Sequence, residues 1–200
     1  MNRVKPIVIT LLLAIVLPIQ AQQSQQLSPI QIESATGKDN PIVISITGVE
    51  HDPIILQARW NAEDNCLSEI MCFLSSWLEA NTSGNLQHML VVRNAPERSD
   101  LERRITQNPN LIALNADHFK RIKKWSVLGW VQYGAIYAVL LVKQDDPQAS
   151  ASTYVLPLAR SGISWGQSDA LATDAGVYQI LDRIADTVMQ RHRPRTSPAK

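Results

Sequence analysis

The sequence predicts an α+β protein in which helices pack on a curved antiparallel sheet, with a β segment before them and a helix at the C-terminus. Three observations predict this class. The run 125–142 is uncharged and rich in β-branched and aromatic residues, and its Gly134 and Ala135 suit a two-residue hairpin turn. Apolar residues recur at helical spacing over 67–78. Residues 42–47 alternate between apolar and polar, as a strand does.

The first 21 residues have the three parts of a secretory signal peptide. Arg3 and Lys5 form a basic start, residues 6–19 are apolar apart from one threonine, and Ala21 is the small residue before the expected cut. We therefore expect an exported protein, either periplasmic or secreted. An uncleaved N-terminal anchor is the alternative.

The charge balance gives no reason to expect nucleic acid as a partner. Loss of Arg3 and Lys5 with the signal peptide leaves 17 of the 19 basic residues against 18 acidic ones. Basic residues cluster at 120–124, interpreted as the solvated entrance to a strand, and at 191–200, interpreted as a disordered basic tail. Contact with phosphate or acidic lipid is the alternative for both clusters.

The mature chain opens with a flexible lead-in over 22–40, which is rich in glutamine, serine and threonine. A strand follows at 42–47, a turn at 48–53 and a second strand at 54–60. The turn contains an adjacent His and Asp, and no further ligand is spaced around them as a metal site requires. We therefore predict no metal site there.

The clearest helix of the first half follows these strands. Ser68 is its expected N-cap, which places Cys66 in the non-helical approach, where it can fold back toward Cys72. Two cysteines this close in an exported chain predict a Cys66–Cys72 disulfide, and two buried free thiols are the alternative. The apolar stripe of this helix consists of Leu67, Ile70, Met71, Leu74, Trp77 and Leu78.

Several shorter elements are expected between this helix and the hairpin. Residues 81–84 end the helix, and 86–92 form a short helical or extended segment. Pro96 can open a further helix with an apolar stripe of Leu101 and Ile105. That helix stops at an Asn-Pro-Asn sequence, after which Asn115 caps a short helical turn that leads to the hairpin.

The hairpin turn at Gly134 and Ala135 fixes which residues face each other. Its expected pairs on one face are Gln132 with Tyr137, Trp130 with Val139 and Leu128 with Leu141, and on the other face Tyr133 with Ile136, Val131 with Ala138 and Gly129 with Leu140. The run is also close to the length of a membrane-spanning helix, but its polar, glycine and mid-run aromatic residues argue against a span. We expect no stable membrane span.

Two more strands and a final helix complete the single domain, 41–190. The third strand covers 152–160, and Pro157 places it at an edge or a bulge. The fourth strand covers 163–166. An apolar stripe after Thr173 predicts a helix that docks up to about Gln190.

Helices followed by a curved antiparallel sheet resemble the cone-shaped nuclear transport factor 2-like superfamily, also called SnoaL-like. Three local details support the resemblance over about 66–166: the helix ending at 84–86 with Met89 and Leu90 after it, the Tyr133 and Gly134 turn, and the late strand at 162–165. The strands at 42–60 and the C-terminal helix depart from the family pattern. A generic α+β domain is the alternative.

The resemblance implies a pocket between the helices and the concave face of the sheet. Trp130, Tyr137 and Trp165 would line it as ligand-binding residues, although large aromatic residues at strand spacing also suit a core. Enzymes of this superfamily use a carboxylate or histidine with an aromatic hydroxyl. The residues of these types here are Asp117, His118, Tyr133 and Tyr137.

No catalytic motif accompanies this architecture. The sequence lacks a glycine-rich phosphate loop, a nucleophile elbow and a set of metal ligands, so no residue is assigned a catalytic role and no cofactor is expected. These observations predict an exported accessory or binding protein without catalysis of its own, with a protein or a small apolar molecule as its partner. The alternative is a small enzyme of isomerase or dehydratase type that uses general acid/base chemistry on an apolar molecule.

Overall fold

The computed structural model describes residues 25–26, 30–32, 42–44, 47–61, 64–133, 136–144, 152–170 and 186. Strands and helices are both present in this part of the chain, which confirms the α+β class. The predicted signal peptide, the turn at Gly134 and Ala135, and the basic tail lie outside the described residues. Of the predicted C-terminal helix only Asp186 is described, and it is helical.

Most of the strands belong to one antiparallel sheet. The described strands are β1 (Gln25–Gln26), β2 (Ile30–Ile32), β3 (Ile42–Ile44), β4 (Thr47–Ile55), β5 (Lys124–Tyr133), β6 (Ile136–Gln144), β7 (Ser152–Ser161) and β8 (Ser164–Gln167). The main sheet has the order β1-β4-β5-β6-β7-β8, and β2 pairs with β3 in a separate two-stranded sheet. Both β1 and β2 lie inside the predicted flexible lead-in, where they pair with the strands that follow.

The helices are inserted between two neighbouring strands, β4 and β5. They are α1 (Asp64–Ser68), α2 (Ile70–Ser83), α3 (Leu86–Val91), α4 (Arg98–Gln107) and α5 (Asn110–Arg121), with a 3₁₀ turn at Ala95–Glu97 before α4. The strands from β5 to β8 follow one another both in sequence and in space. Pairing of β4 with β5 therefore brings together the two ends of a long helical excursion.

The core lies between α2 and the sheet, with Trp77 at its centre. Trp77 is fully buried, and its ring lies edge-on to Trp125 of β5 at 5.6 Å and tilted against Tyr154 of β7 at 6.0 Å. Its Nε1 donates a 2.8 Å hydrogen bond to Oε1 of Gln167 in β8. One helical side chain therefore joins three strands, and its only polar group is paired.

The central run forms β5 and β6, so the predicted hairpin is confirmed. Trp130 faces Val139 in the expected register. Leu128 does not face Leu141 as predicted: Val127 does, because a bulge between Val127 and Gly129 inserts Leu128 as an extra residue on β5. Within the described ranges, no helix combines the length and apolar character that crossing a membrane requires.

The predicted turn at 48–53 is wrong, because these residues lie within the continuous strand β4. Pairing of Gly48 with Val131 of β5 holds the glycine of this stretch extended. The register shifts between Glu50 and Ile54, and this irregularity accommodates Pro53, which has no N–H to contribute to the ladder. Of the second predicted strand, 54–60, only the first two residues belong to β4.

Pro157 lies neither on an edge strand nor at a bulge, contrary to the prediction, because β7 runs between β6 and β8 and pairs with β6 without a register shift. Its carbonyl accepts a 3.1 Å hydrogen bond from the backbone N of Ser168, just past the end of β8. The N–H and C=O of one strand residue point to the same side. The missing N–H of Pro157 would therefore have pointed beyond the end of β8, and the pairing with β6 loses no hydrogen bond.

Cys66 and Cys72 lie at disulfide distance, with their Cα atoms 5.1 Å apart. The expected start of the helix at Ser68 is wrong, since Cys66 and Ser68 both belong to the short helix α1. The break is at Glu69, the N-cap residue of α2, whose ψ of 128° is extended. A continuous helix would separate residues six apart by about 9 Å, so the turn at Glu69 is what brings the two cysteines together.

The helix boundaries after α2 follow most of the sequence signals. Gly84 ends α2 with a φ of 69°, in the left-handed region that glycine adopts without strain. Asn85 then caps α3 through its Oδ1, which accepts hydrogen bonds from the backbone N of Gln87 at 2.9 Å and of His88 at 3.3 Å. The segment predicted at 86–92 is therefore helical over Leu86–Val91.

The last two helices, α4 and α5, differ from the sequence prediction at one residue. Leu101 and Ile105 of α4 are buried as predicted. Asn115 does not start a short turn, because α5 already begins at Asn110 and Asn115 lies inside it. Its Nδ2 instead donates a 3.0 Å hydrogen bond to Oδ1 of Asn81 on α2, so this polar side chain joins two helices.

Candidate functional site

The three predicted ligand-binding aromatic residues lie together. The ring centroid of Tyr137 is 4.6 Å from that of Trp165, in an edge-on arrangement, and 6.5 Å from that of Trp130. Trp165 is buried, and its Nε1 donates a 3.0 Å hydrogen bond to the carbonyl of Ser68. The guanidinium of Arg160 lies 4.7 Å from the Trp165 ring centroid. Trp130 and Tyr137 are half-buried, and their ligand-binding role stays a prediction.

The residues considered for acid/base chemistry are not assembled around this aromatic row. Asp117 and His118 are exposed on α5, and the side chain of Tyr133 lies outside the described part of the structure. Tyr137 belongs to the aromatic row. The described geometry therefore gives Asp117 and His118 no shared pocket.

A surface cavity of about 370 Å³ lies where the end of β4, α2, α5 and the start of β5 meet. Its apolar walls are formed by Ile55, Leu56, Leu78, Phe119, Ile122 and Trp125. The polar lining residues are Thr82, Lys120, Lys123 and Lys124. We call this feature the lysine-rimmed cavity. None of Trp130, Tyr137 and Trp165 lines it.

Backbone hydrogen bonds fix the walls of the lysine-rimmed cavity. The N of Leu56 donates to the carbonyl of Trp125 at 2.9 Å, which attaches the chain after β4 to the start of β5. On the opposite side, the N of Ile122 donates to the carbonyl of Phe119 at 3.2 Å as α5 ends. The rings of Phe119 and Trp125 stack with centroids 5.4 Å apart. These contacts hold two aromatic walls in place without a ligand.

The rim of the lysine-rimmed cavity is cationic. Lys120, Lys123 and Lys124 are exposed, and the described lining residues include no Asp or Glu. Among the described residues the three ammonium groups form no ion pair. The cavity therefore combines apolar walls with uncompensated positive charge.

A second polar feature lies on the helices. Nδ1 of His88 and Oε2 of Glu79 are 2.8 Å apart, and the indole of Trp60 stacks on the imidazole with ring centroids 3.6 Å apart. Glu79 comes from α2, His88 from α3 and Trp60 from the segment after β4. A carboxylate that orients an imidazole is an arrangement found in general-base catalysis. Neither His88 nor Glu79 lines the lysine-rimmed cavity.

A third polar cluster fastens the chain after β8. Asp169 forms ion pairs with the buried Arg93 and, at 2.9 Å, with Nη2 of Arg104. Glu97 accepts hydrogen bonds from Oγ of Ser168 at 2.6 Å and from the backbone N of Asp169 at 2.5 Å. These contacts join α4 and the segment before it to 168–169, which indicates a structural role for the cluster.

Sequence reasoning missed the lysine-rimmed cavity. The sequence of 120–124 indicates a solvated strand entrance, and each lysine there is indeed exposed. The available signal was the pair Phe119 and Ile122, apolar residues interleaved with the lysines and both buried. The complementary wall comes from 55–58, more than sixty positions earlier in the chain, which no local pattern could supply.

Comparison with protein-family models, curated proteins and solved structures gives no significant match. The resemblance to the nuclear transport factor 2-like superfamily therefore stays a prediction that rests on the residues quoted for it.

Proposed function

We propose that this chain is an exported accessory protein without catalysis of its own, which binds a small apolar molecule in the lysine-rimmed cavity. The observation behind this proposal is the cavity itself. Its volume of about 370 Å³ lies within the range of roughly 300 to 1,000 Å³ that is typical of ligand sites. Its walls are mostly apolar side chains with a few polar groups, which is the usual composition of such sites.

The core of the protein supports binding at this place. Phe119 and Trp125 are buried and also contact Trp77, whose centroid is 5.4 Å from that of Phe119 and 5.6 Å from that of Trp125. Two walls of the cavity are therefore continuous with the most tightly packed part of the molecule. A site with fixed walls loses little conformational entropy when a ligand enters.

A fluorescence titration with Nile red, a neutral apolar dye, tests the proposal. We expect saturable binding to the wild type. Ala58 lines the cavity and is exposed, so Ala58→Trp should fill the site without disturbing the core and should weaken binding by about tenfold or more. Ala113 is exposed on α5 and does not line the cavity, so Ala113→Trp is the matched control and should bind as the wild type does.

Two results would contradict this part of the proposal. One is a wild type that shows no saturable binding of the dye. The other is an equal loss in Ala58→Trp and Ala113→Trp, which would locate any binding elsewhere.

Export is supported by the N-terminal sequence and is compatible with cysteines at disulfide distance. N-terminal sequencing of the mature protein recovered from outside the cytoplasm is the direct test. We expect it to begin at Gln22. A product that begins at Met1 would contradict removal of the signal peptide.

The contact between His88 and Glu79 favours the second candidate, a small enzyme that works by proton transfer. Such an enzyme should catalyse exchange of the α-protons of an apolar ketone in deuterated water, which NMR can follow. His88→Asn should abolish the exchange, whereas Gln87→Asn on the exposed face of α3 should not. Because His88 does not line the lysine-rimmed cavity, we place binding ahead of catalysis.

A further inference from the structure

We propose that the natural ligand of the lysine-rimmed cavity is a single-chain amphipathic carboxylate, of the kind represented by a medium-chain fatty acid. Its hydrocarbon chain would lie against the apolar walls, and its carboxylate would lie among Lys120, Lys123 and Lys124. This inference deepens the proposed function and rests on it. It specifies a negatively charged, amphipathic ligand, whereas the proposed function specifies only an apolar one.

The walls require an apolar portion of the ligand. Leu56, Phe119 and Ile122 are each between 6% and 7% exposed and line the cavity, so a ligand that enters it meets hydrocarbon. Ile55 also lines the cavity and is 61% exposed, so its side chain is available to contact a ligand. A hydrocarbon chain that extends past the cavity mouth would cover Ile55.

The rim requires an anionic portion. Three ammonium groups within five positions repel one another, and among the described residues no carboxylate forms an ion pair with them. A ligand carboxylate would offset part of this repulsion. Lysines on flexible stems can gather around one carboxylate from several directions. A bound cation or a neutral ligand would leave the repulsion in place.

The apolar walls distinguish this proposal from a site for free phosphate or nucleic acid. Inorganic phosphate has no hydrocarbon to bury, and a nucleic acid contacts an extended basic surface rather than a small cavity. The same lysines could instead bind the headgroups of a membrane that contains anionic lipids. The test therefore includes both inorganic phosphate and vesicles.

The experiment is displacement of Nile red from the full mature chain by four probes: decanoate, decanol, decylamine and inorganic phosphate. We expect decanoate to bind roughly fivefold more tightly than decanol at low salt, because partly solvated ion pairs each contribute little. The difference should shrink as salt screens the rim. Decylamine should bind more weakly than decanol, and phosphate should not displace the dye.

The triple substitution Lys120→Gln, Lys123→Gln and Lys124→Gln distinguishes the contribution of the lysine charges to binding from that of the apolar cavity. We expect it to abolish the preference for decanoate over decanol while Nile red and decanol bind as before. Arg103→Gln changes an exposed cation on α4 that does not line the cavity, and it should leave the preference intact. Retained dye binding also demonstrates that the triple variant is folded.

Three outcomes would overturn this inference, and they are distinguishable. Equal binding of decanoate and decanol would contradict the proposal of an anionic ligand but not the proposed function. Absence of any dye binding would contradict both the anionic ligand and the proposed function. Binding to vesicles that contain an anionic phospholipid, without displacement of the dye by decanoate, would assign the lysines to a membrane surface instead.

Discussion

The indole of Trp60 lies flat against the imidazole of His88, with ring centroids 3.6 Å apart and an angle of 5° between the planes. The segment that holds Trp60 also contacts α2 through its backbone, since the N of Arg59 donates to the carbonyl of Ser75 at 3.1 Å. Glu79 approaches the imidazole at its edge. The path of the chain from β4 to the helices is thus fixed by one ring stack and a few hydrogen bonds.

The first prediction concerns the energy of this stack. A double-mutant cycle with Trp60→Leu and His88→Leu should give a coupling free energy of about 0.5 to 1.5 kcal/mol, since the two rings lose their mutual contact when either is replaced. Urea unfolding of the four proteins measures it. The control cycle pairs Trp60→Leu with Gln87→Leu, which is exposed on α3, and its coupling should be close to zero. Equal couplings in both cycles would argue against the stack.

The second prediction concerns Gly166, where β8 meets the segment between α3 and α4. A Cβ at this position would lie 2.7 Å from Cα and N of Asn94, which are backbone atoms that cannot yield as a side chain can. Gly166→Ala should therefore lower the free energy of unfolding by about 1 to 3 kcal/mol. It should also weaken the 2.8 Å hydrogen bond from the N of Asn94 to the carbonyl of Gln167. Hydrogen exchange of the Asn94 amide reports that loss.

Gly162→Ala is the control for this effect. Gly162 has a φ of 64° and no atom within 4 Å of an added Cβ, so the substitution costs only backbone strain of about 1 to 2 kcal/mol. In Gly162→Ala the Asn94 amide should keep the hydrogen-exchange protection of the wild type, after correction for the change in global stability. If Gly166→Ala also kept that protection, the close approach of the two backbones would be disproved.

The third prediction is a pH dependence from Tyr154. Burial raises the pKa of its phenol above the usual 10.0, and Asp169 adds to that effect while Arg93 opposes it. Above pH 10 the unfolded state loses the phenolic proton and the folded state keeps it, so stability falls as pH rises from that value toward the folded pKa. Below pH 10 the full stability is present.

Tyr154→Phe removes the titrating group and keeps the ring. The difference in unfolding free energy between wild type and Tyr154→Phe should be constant below about pH 9 and should shift in favour of the variant above about pH 10. Urea unfolding across this range measures it. A difference that is independent of pH would contradict a raised pKa for Tyr154.

The fourth prediction concerns Cys66 and Cys72. A bridge across so short a loop should stabilise the protein by about 2 kcal/mol in the chain-entropy account. Denaturation with and without reductant measures this, and the Cys66→Ser/Cys72→Ser variant should match the reduced wild type and not respond to reductant. Alkylation of the native protein should add no mass. Two alkylated thiols without prior reduction would rule the bridge out.

Patterns among residues close together in the sequence predicted most of the fold. Helical spacing found α2 and α4, and the apolar run 125–142 predicted the β5–β6 hairpin with its register from Gly129 onward. The misses depend on distant partners. Glycine and proline at 48–53 indicate a turn when β5, which pairs with residues on both sides of Pro53, is not considered. Leu128 gives no local sign that it enters a bulge.

The candidate site was less predictable than the fold. The aromatic residues Trp130, Tyr137 and Trp165 do lie in contact, because register and strand alternation determine such neighbours. The lysine-rimmed cavity depends on Leu56 and Phe119 meeting across the helical excursion, which no periodicity specifies. His88 gave no signal either, since its partners Glu79 and Trp60 come from separate elements.

The insertion of all five described helices between the neighbouring strands β4 and β5 has a kinetic consequence. The meander from β5 to β8 closes short loops, whereas pairing of β4 with β5 closes a loop that contains every one of those helices, and long loops cost more entropy to close. We therefore expect β4 to join the sheet late in folding. Until it does, β5 is an edge strand able to pair with another chain, and Lys124 at its start is the type of residue that discourages such pairing.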